Sequence, residues 1–81
     1  NANIIASIGV IQIYKNDLNS SKRWFDKALA LDKSNALSLY GIAGLHKRFG
    51  FAHRYKISQL AAKKAGPPKG ILHPLIKSAL D

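Results

Sequence analysis

Asn16-Asp17-Leu18-Asn19-Ser20-Ser21-Lys22-Arg23-Trp24-Phe25-Asp26-Lys27-Ala28-Leu29-Ala30-Leu31-Asp32 is the stretch that decides the fold. Leu18, Ser21, Phe25, Ala28 and Leu29 recur at helical spacing, with Lys22, Asp26 and Lys27 around them. That stripe predicts an amphipathic helix over residues 18–31. Lys15-Asn16-Asp17 reads as the turn before it, and Asp17 stands where a short carboxylate accepts from the first free amides of a helix. Asp32-Lys33-Ser34-Asn35 is a second polar connector, in which Asn35 is placed to cap the next helix.

Upstream, residues 3–15 are apolar almost all round, through Ile4, Ile5, Ile8, Val10, Ile11, Ile13 and Tyr14. The β-branched content would suit a strand, but an unbroken run of this length favours a buried helix. Downstream, residues 36–48 place Leu39, Ile42 and Ala43 on one face, with Lys47 and Arg48 at the end where cations suit a helix C-terminus. Gly41 and Gly44 weaken this helix, and close approach of a neighbouring backbone is the expected compensation. Gly50 breaks the chain. Residues 51–65 then give a fourth helical segment, with Phe51, Tyr55, Ser58, Ala62 and Ala65 along one line. Gly66-Pro67-Pro68 ends it. A short last helix over residues 72–80 has Pro74 in its first turn and a stripe of Leu72, Leu75, Ile76 and Ala79.

The whole is 81 residues and 8.9 kDa, one small domain that buries only roughly 60% of the surface its unfolded chain exposes. Hydrophobic residues at 47% are enough for a packed core. With no cysteine, neither a disulfide framework nor a thiolate metal site can reinforce it. There is no methionine, and a chain that begins at Asn1 is expected to be a processed product or a piece of something longer. Thirteen Lys and Arg against four Asp give a formal charge of +9. The imbalance lies in the C-terminal half: residues 1–35 balance at +2 and residues 36–81 at +7. Such a field draws acidic protein, nucleic acid or an anionic surface, or serves as a solvated face. Residues 4–13, the longest apolar stretch, fall far short of the about 20 needed for a span and lack the flanks of a signal peptide. The reading is of a soluble chain without membrane insertion, with the cytoplasm as default compartment.

Asp17 to Phe51 and Ala2 to Ala36 are both separated by 34 positions, a period at which helical hairpins repeat. At that period residues 2–35 resemble a tetratricopeptide repeat. Ile8-Gly9 stands where the family has Leu-Gly, and Asn16-Asp17 where it has Gly-Asp. Ser21 takes the small position of the second helix, Phe25 the aromatic one, and residues 27–32 the closing Lys-Ala-Leu-x-Leu-Asp run. Ile5, Gln12 and Lys33 replace the usual Trp, Tyr and Pro. Residues 36 to about 69, with the hairpin itself over 36–65, resemble a diverged second unit, or a half-repeat relative of the kind found in RNA-processing proteins. Ile42-Ala43, Gly50, Ala62 and Pro67 match, while Tyr55 and Gln59 depart. The resemblance implies an all-α fold of antiparallel hairpins stacked as a short solenoid, with residues 66–81 as a turn and terminal capping helix. Leu72, Leu75 and Ile76 are expected to cover the open face of the last hairpin. Ile4, Ile11 and Ile13 read as surface that meets a preceding helix, so the chain reads as the C-terminal end of a longer array.

Catalysis finds little support. His46, His53 and His73 are spread over three elements without the i, i+4 spacing of a helical metal site, and read as solvent-facing. Asp17 and Asp32 are taken by turns, Ser20-Ser21 has no nearby base, and Gly66-Pro67-Pro68-Lys69-Gly70 lacks the amides of a phosphate loop. No enzyme activity, cofactor or metal is expected. Binding is the expected role. In the family, partners lie along the concave surface made by the first helix of each repeat. Carried over, those positions are Ala6, Val10, Ile13 and Tyr14 in the first unit and Leu37, Tyr40, Gly44, Lys47 and Arg48 in the second. They imply a groove apolar at one end and basic at the other, suited to a protein or peptide partner of acidic character. Ala6 and Val10 replace the Lys and Asn with which chaperone-binding members hold a C-terminal carboxylate, so that partner is not expected. For Tyr14 and Tyr40 the plain alternative is packing against a neighbouring repeat. A second basic surface is expected from His53, Lys56, Lys63 and Lys64 at helical spacing, with Lys69 beyond the prolines and Leu60 among them. It would make salt-sensitive contact with RNA without base recognition, in a ribonucleoprotein setting. Trp24 is expected half-buried at the hairpin edge.

Overall fold

The computed structural model describes residues 1–68 and 73–77, and every regular element among them is an α-helix. These are α1 (Ala2–Tyr14), α2 (Leu18–Leu31), α3 (Ala36–Phe49), α4 (Ala52–Ala65) and α5 (Pro74–Lys77). The expected all-α class holds, as do the four helical segments and their connectors. Lys69 to Leu72 and Ser78 to Asp81 lie outside the described residues, including the Leu72 and Ala79 positions of the last stripe.

Each connector works through a named polar side chain. Asn1 Oδ1 accepts from the Asn3 amide at 2.8 Å and starts α1. Asn16 takes the left-handed conformation at φ 61°, which asparagine tolerates better than most residues with a side chain, and the Asp17 amide folds back to the Gln12 carbonyl at 2.9 Å. Asp17 then caps α2 through the Ser20 amide at 3.1 Å. Asn35 caps α3, accepting from the Ser38 amide at 3.0 Å and the Ser38 hydroxyl at 2.7 Å. Its own Nδ2 donates to Asn3 Oδ1 at 2.7 Å, tying the start of α3 to the start of α1. Gly50 at φ 79° closes α3, with the Phe51 amide reaching the His46 carbonyl at 2.9 Å.

Phe25 is the centre of the packing. Its ring is fully buried and lies against two positions that carry no side chain. A Cβ built on Gly9 of α1 would come within 2.8 Å of the ring, and one on Gly41 of α3 within 2.5 Å. The Ser21 hydroxyl, one turn earlier on α2, donates to the Gly9 carbonyl at 2.8 Å inside the same contact. Gly41 therefore makes room for an aromatic ring, rather than for the neighbouring backbone expected from sequence.

Helix α3 is the hub. It packs against α1, α2, α4 and α5, so Ser38, Tyr40, Gly41, Ala43, Gly44 and Leu45 are buried around much of its circumference. Helix α4 meets only α3 among the described helices and buries only Ala62. Helix α5 also packs on α3 and makes no contact with α4. Among the described residues, the terminal helix therefore covers the α3 side of the last hairpin and does not reach α4, where sequence placed it over the open face as a whole. On the first helix Ile4 and Ile11 are exposed as expected, but Ile13 is buried and belongs to the core. Trp24 is half-buried, with Lys27 Nζ 4.6 Å from its ring centre.

Phe25→Ala should cost about 3–5 kcal/mol, a large share of the stability of a domain this small. A thermal melt followed by far-ultraviolet circular dichroism should lose its cooperative transition or move it far down. A melt close to wild type would show that the ring does not join the three helices.

Candidate interaction surfaces

The inner face, between α1 and α3, is where the carried-over partner positions converge, and Pro67, Pro68 and residues 73–77 of the chain itself lie on it. Pro67 and Pro68 stand beside Asn3 and Ser7 of α1 and Ala36 and Leu37 of α3. Further along, the His73 ring meets the Tyr14 ring edge-on at 4.6 Å between centres. Leu75 presses its backbone carbonyl on Gly44, where an added Cβ would lie 2.5 Å from that oxygen. Ile76 is fully buried in one cluster with Ala6, Ile13, Tyr40 and Ala43.

That placement corrects two expected partner residues. Ile13 and Tyr40 are 5% and 3% exposed, so neither presents its side chain to a partner while the segment is in place. Val10 is half-buried and packs against the core, and Tyr14 is exposed apart from its His73 contact. Lys47 and Arg48 are exposed in the last turn of α3, with Lys47 Nζ 5.6 Å from the Tyr55 ring centre.

The second surface is the outward face of α4. His53, Lys56, Lys63 and Lys64 are all exposed on it, and Lys69 lies outside the described residues. Ile57 and Leu60 are more than half exposed within the same face. The helix thus presents cations and large aliphatic side chains together. Arg54, near the start of α4, lies 5.1 Å from the Phe51 ring centre.

Sequence reasoning missed a third feature, a shallow cleft between α2 and the turn that joins α3 to α4. It is lined by Asn19, Lys22, His46, Phe49, Phe51 and Arg54. His46 is half-buried rather than solvent-facing, and its Nδ1 lies 2.7 Å from the Ser58 hydroxyl. Ser58 donates its only hydroxyl proton to the Arg54 carbonyl at 2.8 Å. The pair ties α3 to α4 across the hairpin. No pattern along the chain marks two residues twelve positions apart as partners; only the antiparallel hairpin does.

Burial is the main cause that holds His46 below the ordinary histidine pKa. The nearby Lys22 and Arg54 charges act in the same direction, against the Arg54 backbone and Asp26. The folded chain thus binds this proton less readily than the unfolded one. Stability from the neutral ring is complete above the unfolded pKa of about 6.5 and is lost as pH falls below it. The melting temperature should drop between pH 7 and 5, and His46→Gln should flatten that part of the drop. Parallel wild-type and H46Q profiles would contradict the assignment.

Among the described residues no helix is long and apolar enough to cross a membrane, and no three His, Cys, Asp or Glu side chains group as metal ligands. No family model, curated protein or solved structure matches this chain.

Proposed function

We propose that this chain is a protein-interaction module, a tetratricopeptide-like pair of helical hairpins that holds a protein partner or a subunit of a larger assembly. The observation that carries the reading is the pair of bare apolar faces on helices that do not touch. Ile4 and Ile11 are half or more exposed on α1, and Ile57 and Leu60 on α4. In a stacked array each such face is covered by a neighbouring hairpin, and contiguous exposed apolar patches mark contact surfaces. The partner segment lies along the inner α1–α3 face, with Lys47 and Arg48 at its basic end favouring acidic residues. A non-catalytic role is supported by how the described carboxylates are engaged. Asp17 caps α2, Asp26 pairs with Lys22 at 2.8 Å, and Asp32 accepts from the Ser34 amide.

The basic face of α4 supports a second reading, salt-sensitive contact with RNA in a ribonucleoprotein. Ile57 and Leu60 stand within that face and have nothing to offer a phosphate backbone, so a protein surface fits it better.

Quantitative pull-downs from cells that make the protein should retain a protein with wild type that Lys47→Glu plus Arg48→Glu loses, while helicity stays intact. Equal recovery with both would contradict the assigned basic end. Retention of unrelated RNA sequences at low salt, collapsing as salt rises, would move the assignment to the ribonucleoprotein reading.

A further inference from the structure

The inner face assigned to a partner already has an occupant. We propose that residues 73–77 are an internal ligand of the α1–α3 face, which an external segment must displace in order to bind. The proposal rests on the partner-binding role of that face and names its regulation.

The segment is attached in the manner of a ligand. Helix α5 is described over Pro74–Lys77, and among the described helices it packs on α3 alone. Its local geometry is prepared for that docking. Pro74 occupies the first helical position, where its fixed φ suits a helix start. His73 Nδ1 accepts from the Leu75 amide at 3.0 Å, and the Ile76 and Lys77 amides bond to the His73 carbonyl. Its contacts to the face include the buried Ile76, the Leu75 backbone seated on Gly44, and the His73 ring on Tyr14. Gly44 is shaped for a backbone passing over it, and any peptide with an aliphatic pair in one helical turn can use the same seat.

The tether points the same way. Helix α4 ends at Gly66, whose φ of 84° suits glycine and around which a Cβ would meet nothing within 4 Å. Pro67 and Pro68 come next, with no amide to donate. Among the described residues helix α5 makes no contact with α4, so lifting residues 73–77 off α3 leaves the α3–α4 packing in place.

The test uses the full chain and a fluorescent synthetic peptide of residues 66–77 as the probe. Ile76→Asp in the chain removes the anchor and substitutes no residue of α1 or α3. The proposal expects the peptide to bind this variant about tenfold or more tighter than wild type, because the free face no longer has to be vacated. A peptide carrying I76D should bind neither. Equal binding to both chains, or no binding to a helical I76D chain, would overturn it. Should I76D lose its helicity, amide hydrogen exchange in wild type decides. The Ile76 and Lys77 amides should exchange about tenfold or more faster than those of Gly44 and Leu45, as local opening requires. Equal rates would make the segment part of one cooperative core and overturn the proposal. Neither measurement needs an external partner, so absence of a partner sinks the functional reading and leaves these results standing. A partner bound equally by wild type and I76D keeps that reading and overturns the internal ligand.

Discussion

The Phe25 ring, held between Gly9 and Gly41, is the contact on which the rest of this molecule depends. A ring needs space that two helices with ordinary side chains cannot leave at close approach. Here the missing side chains on α1 and α3 supply it, and α2 is drawn in between them. The buried Ser21 hydroxyl on the Gly9 carbonyl fixes the depth at which α2 sits. The Asn35 to Asn3 bond fixes the relation of α1 to α3 from the other end. With three helices set by one ring and two polar ties, α3 becomes the central element, and α4 and α5 take positions on what remains of its surface.

That arrangement sets an uneven distribution of burial. Helices α1 to α3 share the core, whereas α4 contributes Ala62 alone as a buried residue. Helices α4 and α5 both pack on α3, and two helices keep apolar surface uncovered. For α4 it is the outward face with Ile57, Leu60 and the cations; for α1 it is Ile4 and Ile11. In a chain this small such surface is a sizeable cost unless something covers it. The same economy explains the inner face, where the protein's own Ile76 fills the place that sequence assigned to a partner.

Much of the fold was legible because its signals are local. The stripe of Leu18, Ser21, Phe25, Ala28 and Leu29 requires no knowledge of any other helix, and all five of those residues are buried or half-buried. Asp17 and Asn35 declared the helix starts they cap. The candidate site was harder to read because it depends on where a Gly-Pro-Pro tether sends the chain, and such a tether carries no periodicity. Ile13 and Tyr40 were placed in an open groove on the strength of a family resemblance, and the groove is covered by the chain itself. His46 looked like one more surface histidine among cations because its partner Ser58 lies on the returning helix. The basic face of α4 was legible from spacing, but the exposure of Ile57 beside Leu60 became visible only when α4 was found to touch α3 alone.

Nuclear Overhauser contacts of the Phe25 ring protons test this account most directly. If the ring joins the helices as described, they will reach the α-protons of both Gly9 and Gly41, which will also be shifted by the ring current. Contacts to only one of the two glycines, or to neither, would mean that α1, α2 and α3 are not organised around this side chain.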